Sequence, residues 1–218
     1  MKESRTLRVT GKGMLRLKPD TMRVTVTLEG TDPEHANAMK RSAADTETIR
    51  SAIACAGFSR EDLKTLNFHV QAEYEGFQED GVYRQRLVGY RFRHELKIEF
   101  PFDNERLGKL LKTITDAELT PEIGIGYTVK DREAAKNALL ALAIRDAKEK
   151  AAALTAAAGV RLGEIRQIDY AIGEQDFAVR PVLYAGMARK ACADSAAPEI
   201  VPEDIRTEDA VTVVWEIE

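Results

Sequence analysis

Met22-Arg23-Val24-Thr25-Val26-Thr27-Leu28-Glu29 alternates apolar and polar residues strictly, and a few residues later the period changes. Small or apolar positions then recur at steps of three and four: Ala36, Met39, Ala43, Thr46, Ile49 and Ile53. A two-residue period marks a half-buried strand, and a 3.6-residue period marks an amphipathic helix. The stretch therefore predicts a strand followed by a helix. Asp32 and Pro33 suit a helix N-cap and first turn, and Gly57 suits the stop. The two-residue period then returns twice, in Leu66, Phe68, Val70, Ala72, Tyr74 and in Tyr90, Phe92, His94, Leu96, Ile98, Phe100. A polar, turn-like segment at 76–81 separates the two runs, which predicts one long antiparallel hairpin.

Upstream, Leu7 and Val9 begin a strand pattern that resumes at Leu15 and Leu17. Gly11 and Gly13 stand between them and predict a bend or bulge. Downstream, Asp103 caps a short helix over 103–117. The order then repeats. Ile123, Ile125, Tyr127 and Val129 form a strand pattern, and Asp131 opens an alanine-rich helix that Gly159 ends. Its seam is Ala135, Leu139, Ala143, Ala147, Ala151, Leu154 and Ala158, small enough to suit close packing against the other long helix. A strand around Ile165 and Ile168 follows, then a segment at 173–206 with few strand signals. The last strand pattern is Val211, Val213, Trp215 and Ile217. The expected fold is α+β, a single domain over 1–218. It has two pseudo-repeated β-α-β-β units, 20–100 and 121–218, joined by the helix 103–117. Long helices cover one face of a mainly antiparallel sheet, with a projecting hairpin and a projecting loop.

The chain has 218 residues and is 44% hydrophobic, so it can bury a core without a disulfide or a metal. Its net charge of -4 argues against nucleic acid, whose phosphates call for a basic surface. No run of residues is long and apolar enough for a membrane span or a signal peptide. As written the chain reads as cytoplasmic, or as exported if a signal has been trimmed away. The two cysteines are far apart and lack metal-site spacing. Cys55, in an Ala/Gly-rich helix end, reads as a packed thiol. Cys192, in the long excursion, is a redox candidate.

No motif supplies catalysis. Gly11-Lys12-Gly13 lacks the following helix that a phosphate cradle needs. His35, His69 and His94 do not converge as a metal set, so no metal, cofactor or catalytic residue is assigned. Arg84, Arg86, Arg91 and Arg93 cluster with Tyr83 and Tyr90, and pairing across the hairpin with Glu73 and Glu75 accounts for them. The apolar residues on the two excursions are protein-interaction candidates: Tyr74, Phe77 and Tyr83 on the hairpin, and Phe177, Leu183, Tyr184 and Met187 on the second loop.

Several blocks resemble one bacterial family. They are Arg5-Thr6-Leu7-Arg8-Val9-Thr10-Gly11-Lys12-Gly13, Leu17-Lys18-Pro19-Asp20 and Leu87-Val88-Gly89-Tyr90-Arg91. The run Ala147 to Gly163, with Ala156-Ala157-Ala158-Gly159-Val160-Arg161-Leu162-Gly163, and Val211-Thr212-Val213-Val214-Trp215-Glu216-Ile217 complete the set. In this order they resemble SIMPL-domain proteins, a family of unknown function. The resemblance implies an α+β fold, homo-oligomers that are ring-like in some relatives, and a link to the envelope or to oxidative stress. It brings no catalytic residues. Relatives often carry an export signal that this sequence lacks. The expected function is a non-enzymatic, self-associating structural or interaction protein. The alternative is a hydrolase-like enzyme with its site in a cleft between the repeats.

Overall fold

Residues 6–17 alternate between covered and exposed positions without interruption, and they form one continuous strand, β1 (Thr6–Leu17). A computed structural model describes residues 5–79, 81–171, 178–183 and 201–218. The elements that follow are β2 (Thr21–Asp32), α1 (His35–Cys55), β3 (Lys64–Glu79), β4 (Val82–Pro101) and α2 (Asn104–Thr115). After them come β5 (Glu122–Thr128), α3 (Arg132–Ala158), β6 (Leu162–Asp169), β7 (Ala178–Leu183) and β8 (Ile205–Ile217). The fold is α+β, with a three-stranded sheet ordered β1-β8-β6 and a five-stranded sheet ordered β3-β4-β2-β5-β7. Two sheets replace the single one expected. β5, expected to open the second repeat, lies in the five-stranded sheet. β7 occupies part of the segment that shows few strand signals.

The chain divides into two compact units. The first holds residues 1–19, 128–179 and 203–218. In it, β1 pairs with β8 without a register break, from Thr6 opposite Glu216 to Leu17 opposite Ile205. Gly11 and Gly13 therefore make no bulge and do not interrupt the strand, contrary to expectation. They admit α3. A Cβ on Gly11 would lie 2.1 Å from the Ala143 carbonyl oxygen and 2.4 Å from the Ala147 nitrogen. One on Gly13 would lie 2.2 Å from the Leu139 oxygen. The alanine seam thus packs on the sheet and not, as expected, on the other long helix: Ala143, Ala147 and Ala151 share a core with Val9, Val211, Val213 and Trp215. The closeness lets the Asp146 carboxylate accept a hydrogen bond from the backbone N–H of Lys12 (2.7 Å). Lys150, and then that amide, hold the Asp146 carboxyl below its usual range. Asp131 caps α3 as expected, accepting from the Ala134 N–H (2.8 Å), and Gly159 ends it with φ 67°.

The second unit holds residues 20–127 and 180–202. Met22, Val24, Val26 and Leu28 of β2 are buried with Phe92, Leu96, Ile98 and Phe100 of β4. α1 adds Ala38, Ile49 and Ile53, and α2 adds Leu107, Leu110 and Ile114. Asp103 caps α2 through the Arg106 N–H (3.0 Å). α1 begins later than expected, because Asp32 ends β2 and uses its carboxylate to accept from the Glu34 N–H (3.0 Å). That bond tightens the turn into the helix instead of capping it.

Candidate interaction surface

β3 and β4 pair along their whole length, but β2 covers β4 only from Tyr90 to Pro101. Beyond that point the hairpin continues as a two-stranded arm, Tyr74–Val88. Two features mark its root. The β3–β4 register shifts between Glu73 and Tyr74, and such a bulge turns the strand it interrupts. Gly89 is buried there, and a Cβ on it would lie 2.6 Å from the Asp32 carbonyl oxygen. The turn from β2 into α1 therefore presses on the base of the arm at a point that only glycine fits.

Both faces of the arm carry apolar residues. The register puts Tyr74, Tyr83 and Leu87 on one face and Phe77 and Val82 on the other, with Val88 left unpaired at the bulge. Tyr74 is 59% exposed, Tyr83 67%, Val82 56%, Leu87 47% and Val88 45%. An isolated two-stranded ribbon is at best marginally stable in water. Internal pairs hold this one. Glu75 accepts from Arg86 (2.7 Å), and the Arg86 guanidinium lies 5.8 Å from the Phe77 ring centroid.

Nearer the sheet the arginines join the expected ladder. Arg91 meets Glu29 (2.7 Å) and Glu73 (3.6 Å); Arg93 meets Glu29, Glu95 (2.9 Å) and Glu122 (3.7 Å). Arg91, and then Arg93, hold the Glu29 carboxyl below its usual range. Exposed pairs of this kind contribute little individually, so the ladder sets strand register more than stability.

His94 sits on the other face of β4, under α1. Thr46 donates its hydroxyl proton to the Ser42 carbonyl (2.7 Å), so it accepts from His94 Nδ1 (3.0 Å). Ser42 Oγ lies 3.2 Å from the same nitrogen, and Nε2 then accepts from the Thr65 hydroxyl (3.0 Å). The Phe68 ring closes the site edge-on at 4.9 Å. Burial first, and then the charge of Arg50, push the His94 pKa below its ordinary value of 6.5. The unfolded chain therefore binds this proton more tightly than the folded one. The stability it contributes is complete above pH 6.5 and is lost as pH falls from there through the folded value. The urea midpoint should fall between about pH 7.5 and about pH 5.5, and His94→Gln should flatten that dependence. Equal slopes in the two proteins would refute this linkage.

Of the sequence candidates, Tyr74, Phe77 and Tyr83 come together on the arm. Phe177, Tyr184, Met187 and Cys192 lie outside the described residues. Only the backbone of Leu183, at the end of β7, is described. Leu87 and Val88 are exposed beside Tyr74, Phe77 and Tyr83, and the sequence gives little sign of it, because two adjacent apolar residues after Arg84 and Arg86 break the alternation that resumes at Tyr90. Cys55 is exposed and free rather than packed. The buried face of α1 runs through Ser42, Thr46, Ile49, Ala52 and Ile53, and position 55 turns away from it. Among the described residues no group of His, Cys, Asp or Glu converges on a metal position. No helix there is long and apolar enough to cross a membrane.

No curated protein matches the chain. A crystal structure titled as a Bacillus cereus protein related to NIF3 matches at 14% identity and a TM-score of 0.22. The match covers 52% of this chain and 31% of that one, and so slight a likeness supports no inference. The family comparison is of another order, since residues 7–215 match SIMPL, described as a protein of unknown function (DUF541). That span runs from the first strand of the three-stranded sheet to Trp215 in its central strand, and the chain belongs to the SIMPL family.

Proposed function

We propose that this protein is a non-enzymatic, self-associating interaction module whose contact element is the arm Tyr74–Val88. The supporting observation is the arm itself, a ribbon that exposes Tyr74, Tyr83 and Leu87 on one face and Val82 on the other. Scattered apolar residues are normal on a protein surface, but a cluster on one projecting element marks a contact. The buried polar groups favour a structural over a catalytic role. Ser42, Thr46 and Thr65 engage both ring nitrogens of His94, which joins α1 to the sheet.

Sedimentation and light scattering of the full chain test the reading. The wild type should assemble at micromolar concentration. Tyr74→Ser, Tyr83→Ser and Leu87→Ser combined should shift it to monomer with an unchanged circular dichroism spectrum. A wild type that stays monomeric at high micromolar concentration refutes the proposal.

A further inference from the structure

Arg16 and Arg206 stand directly opposite each other in the next-to-last pair of the β1–β8 ladder. Gly11 and Gly13 of β1 face α3, so the even-numbered residues of that strand point away from the helix. Both arginines are exposed on that outer face. The pair is also a close one. The Lys12 N–H donates to Asp146 and not to β8. The even-numbered pairs are therefore the non-hydrogen-bonded ones, whose Cα atoms lie about 4.5 Å apart. Thr10 and Thr212, another pair on this face, have their hydroxyl oxygens 2.8 Å apart.

Like charges directly opposite each other are destabilising, and nothing in the fold relieves these two. Among the described residues neither guanidinium has an ion pair or a hydrogen bond. The nearest acids along the chain, Asp204 and Glu208, do not meet them. Other cations in similar places are compensated. Arg8, on the same face, reaches Asp169 (2.8 Å). Lys64 stands opposite Lys97, but Lys97 has Glu99 (3.3 Å). We infer that Arg16 and Arg206 clamp a phosphate group. Two guanidinium groups supply two positive charges and forked N–H donors. A phosphate carries nearly two negative charges at neutral pH and has acceptor oxygens for both forks. A carboxylate would leave one arginine uncompensated. Lys12 lies two pairs along the same face and offsets the charge of Glu208. The site stands apart from the arm and does not depend on self-association.

The phosphate can be a free ion or the headgroup of a lipid, and two measurements separate these sources. The first is calorimetric melting of the full chain at neutral pH, with chloride added to match ionic strength. Inorganic phosphate at about 10 mM should raise the wild-type midpoint by ~3–5 °C, the shift for a Kd of about 1 mM. In Arg16→Gln and in Arg206→Gln binding should weaken ~tenfold, which leaves a shift of about 1 °C. Without phosphate both variants should melt at or above the wild type, because the repulsion is gone. Arg8→Gln, on the same face, should keep the full shift. The second measurement is sedimentation with vesicles of phosphatidate in phosphatidylcholine. Retention of the wild type and not of the two variants identifies a headgroup as the source. A phosphate shift without retention identifies the free ion. Equal shifts in the wild type and the variants mean an adventitious ion only and overturn the clamp. Variants that melt lower without phosphate overturn it too. So does a wild type that neither shifts in phosphate nor binds the vesicles.

Discussion

Gly11→Ala should lower the melting midpoint of the full chain more than any surface change. The expected loss is roughly 3 kcal/mol or more, which is about 6–12 °C for a chain of this length. The added methyl carbon would sit 2.1 Å from one α3 backbone atom and 2.4 Å from another. A side chain in the way could rotate aside, but backbone atoms cannot. Either α3 lifts off β1 or the strand buckles. Both expose the core that Val9, Val213 and Trp215 share with the alanine seam. Both also pull Asp146 from the Lys12 amide. Gly11 has no positive φ, so alanine suits its backbone and the loss isolates the overlap. Lys12→Ala, whose side chain points to solvent, is the control and should stay within about 2 °C. If Gly11→Ala melts with the wild type, the close approach of strand and helix is wrong. Ala147→Leu probes the same contact from the helix side and should cost about 1–3 kcal/mol.

The glycines also show where sequence reading runs out. Period alone was enough to place β2, α1, the β3–β4 hairpin and α3. β2, the inner half of β4 and the two long helices keep one face buried, so their pattern survives in a single strip of sequence; β3 alternates with no residue fully buried, and in α1 Ala38 and Ser42 face the core where Ala36, Met39 and Ala43 are exposed. Gly11 and Gly13 are ambiguous by nature. A missing Cβ serves a bend or a close neighbour equally well, and the neighbour lies more than a hundred residues away. The alanine seam was the other half of that signal, but the sequence does not say which surface it meets. β5 shows a related limit, since a strand's pattern does not name its sheet. The arm was half legible. Tyr74, Phe77 and Tyr83 stood out as apolar residues in a polar setting, but Leu87 and Val88 were hidden by the charged residues around them. His94 was legible only as a histidine on an apolar face; its partners Ser42, Thr46 and Thr65 come from two other elements.

The same pairing of glycine with a large neighbour recurs in the second unit, and there it predicts a coupling. Gly30 stands directly opposite Phe92 in the β2–β4 ladder. A Cβ on Gly30 would lie 2.6 Å from Phe92 Cε1, so the ring occupies the space that the glycine leaves. Phe92 is fully buried, and Phe92→Ala should cost about 3–5 kcal/mol through the cavity it opens. Gly30→Ala should cost about 1–3 kcal/mol, because the new methyl forces the ring from its rotamer. The two losses should not add. With the ring gone, the methyl of Gly30→Ala has room and partly fills the cavity. The double variant should therefore be more stable than the sum of the single losses implies, by about 1–2 kcal/mol, within the range measured for residues in contact. Urea unfolding of the four proteins closes the cycle. Losses that add within about 0.5 kcal/mol would mean that the ring does not depend on the bare glycine beneath it. The pair would then be an accident of register. A clear positive coupling would identify it as the reason for a glycine near the end of β2, where β-branched residues otherwise pack best.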